Sequence, residues 1–519
     1  IVNVDCGIPA GTVPFMSPEW REDFKFAVSE ANRLGLKLCV ENCAGWSSSG
    51  GPWNTTTNAM QQVTTSELRV TGPASFSAGL PQPPTKLDFY RDIAVLAYPA
   101  SDVKATIPNI EAKAGFNDQA VLSEQNAGDS TAGAIQRGAV IDLTSKMTAD
   151  GKLTWQVPAG RWVILRVGYT PTGVDNHPAP ESGRGLECDK MSKTALNAHW
   201  DGFMQKVLDD IGPLAGKSLD SSLIDSYEVG GQNWTKNFRE EFKKRRGYDP
   251  LLFLPTFTGR VVDNPALSER FLWDVRRTIA DLFAENYFGH FAELCRKHGL
   301  QNAVEPYTGP FESLQCGAPA DVVMGEFWSG SHGHPSVKLA ASIAHIYGKT
   351  IVGAESFTAG PDQGRWQNYP YALKTLGDLM YCQGLNRYIF HRYAMQPWTN
   401  RWPGMTMGQW GFHFERTETW WTQGKPWIDY ITHCQFLLQQ GRAVADAAYF
   451  TGQSSPVEMR TGNPSLPAGY DYDAINADVL LHDATVKNGR ITLRSGASYA
   501  VLILPPDDIN MTPPMLECL

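Results

Sequence analysis

Four short apolar runs in this chain each end on or beside a glutamate: Glu228 in IDSYEVGGQNW, Glu305 in NAVEPY, Glu326 in MGEFW and Glu355 in GAESF. Carboxylates that converge at one end of parallel strands suit glycosidic bond hydrolysis. One carboxyl must then be protonated to serve the leaving oxygen, while another stays ionised as base or nucleophile. A single strand-end glutamate is ordinarily half of a structural ion pair. Four on successive strands, beside Trp, Tyr and Asn, point to a carbohydrate-active site. Asp225 lies three residues before Glu228. On an extended strand, residues of odd separation face opposite sides, so both reach one pocket only if the strand ends or bulges between them. His391 and Arg392 in IFHRYAMQPW close the last such run; a histidine there either orients a sugar hydroxyl or is a satisfied structural group. Glu187 and Asp189 in GRGLECDKMS alternate as on a strand behind a Gly-rich lead, which suits a loop that grips ligand or metal. Calcium takes such oxygen ligands, although the chain has no EF-hand loop.

The elements that must position these groups alternate between strand and helix. IVNVD reads as a strand, and FKFAVSEANRLGLK as an amphipathic helix with Phe24, Ala27, Val28, Ala31 and Leu34 at helical spacing. LCVEN follows Gly35 as the next strand, ending on Glu41 and Asn42. From about Leu68 to Thr170 the pattern changes to DIAVLAYP, AVIDLT, KLTWQVP and RWVILRVGYT between Gly, Pro and Asp turns, which predicts an inserted β-sandwich acting as a spacer or a carbohydrate-binding module. After Gly183 the alternation returns. The strands are SLIDSYE, NAVEP, DVVMGEFW, TIVGAESF and RYIFHRY, and GLECD is a possible additional one. The expected fold is α/β: a (β/α)8 TIM-like barrel over 1–67 and 171–441, the all-β insert over 68–170, and the start of a C-terminal α/β domain over 442–519.

Composition narrows the partners. With 45 basic and 54 acidic side chains the net charge is −9, and the longest basic block is Lys243-Lys244-Arg245-Arg246, so a nucleic-acid footprint is excluded. No apolar stretch reaches about 18 residues, so no membrane span is expected. The first residue is not Met and no signal peptide follows it, which reads as an internal piece of a longer protein. Nine cysteines lie scattered without CxxC pairs, against both a disulfide framework and a cysteine zinc site. Aromatic residues make up 11% of the chain; several, including Trp46, Trp53 and Trp398, sit in Gly-rich segments where a ring either lines a sugar pocket or packs a core. Neither a Walker pattern nor a dinucleotide fingerprint stands in strand-turn-helix context.

FMSPEW, NCAGWSSSGGPW, DSYEVGGQNWT, KRRGYDP, VEPY, MGEFW, GAESFT, HRYAMQPW and PGMTMGQWG occur here in an order that resembles the bacterial α-L-rhamnosidases of glycoside hydrolase family 106. The resemblance implies an inverting hydrolase of rhamnose-containing glycosides, oligosaccharides or polysaccharides, periplasmic or secreted, whose barrel domain needs calcium against the sugar hydroxyls. By motif match it implies Glu228 as general acid and Glu355 as general base, with Asp225 in the site. Glu326 and Glu305 are the expected calcium ligands. Asn42, Trp46, Asn233, Trp234, Glu305, His391 and Arg392 are the expected sugar contacts, with Trp46 and Trp234 forming an apolar wall for the 6-deoxy methyl. It also turns GLECD from a strand into a ligand loop. A retaining, β-galactosidase-like barrel glycosidase and a non-catalytic carbohydrate-binding fragment are the competing readings.

Overall fold

The computed structural model describes residues 4, 10–47, 49–103, 105–121, 128, 130–331, 335–393, 396, 398–400, 409–459, 462–506 and 510–519. The first helix, Pro18–Leu34, starts where the Ser17 side chain accepts from the Trp20 amide and stops at Gly35 in the left-handed region. Phe24, Val28 and Ala31 form its buried stripe, while Leu34 is exposed. The strands in chain order are β1 (Leu38–Glu41), β2 (Gln61–Gly79), β3 (Arg91–Pro99), β4 (Ile141–Asp142), β5 (Lys152–Pro171), β6 (Leu219–Ile224), β7 (Gln301–Val304), β8 (Val322–Trp328), β9 (Val352–Thr358) and β10 (Arg387–Phe390).

Six of them make one parallel sheet in the order β1-β6-β7-β8-β9-β10, curled as half a barrel wall. Helices such as Pro265–Leu282, Pro335–Tyr347 and Pro370–Cys382 connect successive strands, so all six C-terminal ends point the same way. This is fewer strands than the sequence led us to expect. IVNVD falls almost wholly outside the described residues. GLECD is not a sheet strand: it makes isolated bridges, Leu186 to Asp175, Glu187 to Gly50 and Cys188 to Ala59.

Between β1 and β6 the chain leaves for an antiparallel sheet, β2-β5-β3-β4. In place of the expected sandwich stands this single four-stranded sheet, whose two long strands β2 and β5 pair antiparallel with a bulge at Gly72–Ala74. A Cβ on Gly72 would lie 2.0 Å from the Pro158 carbonyl oxygen, so only glycine allows the two strands this approach. Beyond the bulge, Leu153, Trp155 and Val157 share a small core with Val95, Ala97 and Ile164. The opposite face, with Leu96, Leu165 and Val167, joins the main core.

The helical run from Pro265 to Lys297 contains a seven-residue π-helical stretch at Phe283–Gly289. Such a stretch shifts the helix phase, and Tyr287 within it faces the end of β1 and meets Asn42. The C-terminal unit holds β11 (Ala447–Phe450), β12 (Tyr472–Ile475), β13 (Thr485–Lys487), β14 (Arg490–Thr492), β15 (Ser498–Tyr499) and β16 (Val501–Ile503). Parallel strands β12-β11-β16 form one sheet and antiparallel β13-β14-β15 another. Among the described residues, no helix is long and apolar enough to cross a membrane.

Candidate active site

Strand β6 ends at Ile224, one residue before Asp225, so the parity that would keep Asp225 and Glu228 on opposite faces no longer applies. Glu228 stands at the mouth with 40% of its side chain exposed. Its Oε2 accepts the Trp46 indole N–H at 3.1 Å and lies 3.7 Å from His177 Nε2, and its Oε1 accepts the Ser226 hydroxyl at 2.9 Å. Deeper in, Asp225, Glu305 and Glu355 each present an oxygen within 4.8 Å of the others. Glu305 follows β7 directly and accepts the Tyr307 hydroxyl at 2.5 Å through Oε2. Its Oε1 is buried without a hydrogen-bond partner. Glu355 accepts the Thr358 hydroxyl. Glu326, opposite Glu355 in the β8–β9 register, falls outside the trio.

Burial and mutual repulsion disfavour ionisation throughout this cluster. Burial, then the Glu355 charge, pushes Asp225 up to about 6. Burial, then Glu355, pushes Glu326 up to about 7. Glu305 rises well above the carboxylate range through burial, then Asp225 and Glu355, and Glu355 rises through burial, partly offset by Thr358. Burial lowers His391 to about 4, which leaves it neutral. A set of crowded hard oxygens, one of them orphaned, fits a divalent cation such as calcium.

The other expected contacts divide. Asn42 is buried just past β1, held by His199 Nε2 at 2.8 Å from its carbonyl and by the Tyr287 hydroxyl at 3.4 Å. Trp46 reaches Glu228, and His391 directly follows β10, the strand paired with β9. Asn233 and Trp234 are instead buried in internal contacts. The fully buried Asn233 amide accepts from the Val63 N–H and donates to the Ala114 carbonyl, each across a loop, and Trp234 packs in the core against Phe238 with ring centroids 4.8 Å apart. Arg392 is buried and donates to the Trp410 carbonyl. Glu187 and Asp189 are turned inward as well: Glu187 meets Lys190, and Asp189 accepts from Thr235 and Gln232.

Two groups at the site, His177 and Tyr307, were not singled out from the sequence, and a third, Glu41, was read there only as a strand end. His177 lies after β5, far in sequence from Glu228, and no spacing betrays it. Tyr307 follows Glu305 by two residues, which was a readable signal. Glu41 ends β1 with both carboxyl oxygens buried and outside hydrogen-bond geometry, raised well above the carboxylate range by burial and by Asp225. The sequence reading put it at that strand end.

An exposed carboxyl held by neutral donors, set at the strand ends above a buried carboxylate cluster, is an arrangement that suits a glycoside hydrolase. The family model described as alpha-L-rhamnosidase, glycoside hydrolase family 106, matches residues 3–123 and 88–519, and this chain belongs to that family. The structure of a rhamnosidase from Novosphingobium sp. PP1Y superposes with a TM-score of 0.89 at 27% identity, over 100% of this chain and 64% of that one. A Formosa agariphila protein named "Putative beta-glucuronidase" is 48% identical over 513 residues, 98% of this chain and 43% of its own length. The chain thus spans less than two thirds of either relative.

Proposed function

We propose that the protein hydrolyses α-L-rhamnosides with inversion, in a catalytic domain whose six parallel strands belong to a complete (β/α)8 barrel. Glu228 is the general acid and Glu355 the general base. The observation that carries the assignment is position on a family member's site: Glu228 is open at the mouth, and Glu355 lies in the cluster, where a bound cation would favour its ionised form. A proton given by Glu228 to the leaving oxygen leaves a carboxylate that Trp46 and Ser226 already face with N–H and O–H donors, so the product charge is met without rearrangement. Glu355, tied by Thr358, takes the proton of the attacking water, and general acid–base assistance of this kind is worth about 10²–10⁴-fold in rate.

Asp225 and Glu305 would hold calcium, within reach of a Glu355 oxygen. The ion supplies fixed positive charge that orients sugar hydroxyls and offsets carboxylate repulsion. Membership of the rhamnosidase family and the likeness to a rhamnosidase structure favour a rhamnoside over the glucuronide in the relative's name. Purified protein should release phenol from an aryl α-L-rhamnoside and not from an aryl β-glucuronide, with NMR showing β-rhamnose as the first-formed anomer. Release from the glucuronide alone would overturn the substrate, and α-rhamnose appearing first would overturn inversion.

A further inference from the structure

The Glu187–Lys190 pair is fully buried, with 0% of either side chain exposed and Nζ 2.7 Å from Oε2, yet the mechanism does not use it. Removing two charges from water costs several kcal/mol per ion, so such a pair is a poor source of stability compared with apolar packing. Its surroundings suggest a different use. Glu187 Oε1 accepts the Ser47 hydroxyl at 2.8 Å, and Oε2 accepts the Ser49 amide at 2.9 Å and the Ser49 hydroxyl at 3.2 Å. Ser47 in turn accepts the His177 amide at 2.9 Å, while the amides of Trp46 and Ser47 both donate to the His177 carbonyl. Gly45, at φ +80°, makes this crossing possible, since a Cβ there would lie 2.7 Å from the His177 carbonyl. The two side chains that face Glu228 Oε2, Trp46 and His177, therefore stand on one platform, and Glu187 is its anchor.

Lys190 joins the platform to the acid's own loop. Its ammonium lies 5.6 Å from the ring centroids of both Tyr227 and Tyr287, and Tyr227 immediately precedes Glu228. Its backbone amide donates to Gln232, and the neighbouring Asp189 accepts from Gln232 and Thr235, all on the segment that follows Glu228. The short GLECDK segment thus grips both chains that meet at Glu228.

We infer that Glu187 and Lys190 are positioning residues that hold Trp46 and His177 against Glu228, and so set proton delivery to the leaving group. This rests on the assignment of Glu228 as the acid. Glu187→Gln keeps the shape, removes the charge and leaves Lys190 uncompensated. Misplaced donors should weaken the acid step alone, so kcat/KM should fall at least about tenfold for an alkyl rhamnoside and less than about threefold for a dinitrophenyl rhamnoside, which needs little protonation. The Glu187→Gln/Lys190→Met double variant, which removes both charges, should recover part of the loss. A merely structural defect would lower both substrates alike.

Hydrogen exchange gives a readout independent of turnover. Peptides covering 42–47 and Ser49 should exchange at least about tenfold faster in Glu187→Gln, while peptides from β9 stay unchanged. If Glu187→Gln does not fold, Ser47→Ala, which leaves the ion pair intact, should show the same leaving-group bias at smaller size. Equal losses on both substrates, or unchanged exchange over the platform, would overturn the inference. Wild-type protein inactive on both rhamnosides, with exchange altered as expected, would instead place the failure on the rhamnosidase assignment.

Discussion

Replacing Glu326 by Gln asks whether the carboxylate cluster holds charge at a cost to stability. Glu326 faces Glu355 in register, and burial followed by that neighbour's charge carries its carboxyl from an ordinary 4.5 to about 7. The folded value lies above the unfolded one, so the folded state binds the proton more tightly and loses stability as pH rises from 4.5 to about 7. At about 1.4 kcal/mol per pH unit the full cost is about 3 kcal/mol. Glu326 is only half-buried, and water screening reduces this to about 2 kcal/mol. With an unfolding entropy of roughly 2 cal/mol/K per residue, 1 kcal/mol moves the melting temperature of a chain this long by roughly 1 °C. Calorimetry in chelator should therefore find Glu326→Gln melting roughly 2 °C above wild type at about pH 8, the gap closing by about pH 5. Comparing variant with wild type at each pH cancels His199 and His391. Both are lowered to about 4 by burial, and their contribution is present above 6.5 and lost as pH falls. A variant less stable than wild type at about pH 8, or a gap that does not change with pH, would refute the reasoning.

Glu228→Gln should slow alkyl rhamnosides by about 10²–10⁴-fold and activated aryl rhamnosides far less, whereas Glu355→Gln should slow both classes alike; steady-state kinetics on a leaving-group series checks this. Chelation should abolish hydrolysis and calcium should restore it, with Glu305→Gln weakening calcium binding at least about tenfold by titration calorimetry. Trp234→Ala should lower stability by about 3–5 kcal/mol in denaturant titrations. Asn233→Ala, which leaves the Val63 amide and Ala114 carbonyl unpaired, should lower it by about 1–3 kcal/mol, with KM unchanged where the protein stays folded.

The carboxylates of the site were legible in the sequence because each follows a short apolar run, and parallel strands buried on both faces must be apolar until they end. The same logic marks Glu41 and Asn42. The strands LCVEN, NAVEP, DVVMGEFW, TIVGAESF and RYIFHRY all occur where periodicity and Gly or Pro punctuation put them. Side-chain chemistry was not enough where the partner comes from elsewhere in the chain. Asn233 and Trp234 sit in a motif rich in sugar-binding residue types, yet β2 and the helix after them help to bury both. Glu187 and Asp189 alternate as ligands would, yet Lys190, Ser47, Ser49, Thr235 and Gln232 satisfy them. The close approach of β2 and β5 depends on Gly72 meeting Pro158 across 86 positions of sequence. Local pattern thus determined which residues end strands, since period and polarity are properties of neighbours in sequence. Which of those ends face one another, and which polar groups are left to face a ligand, depends on contacts between distant segments, and only the tertiary structure decides them.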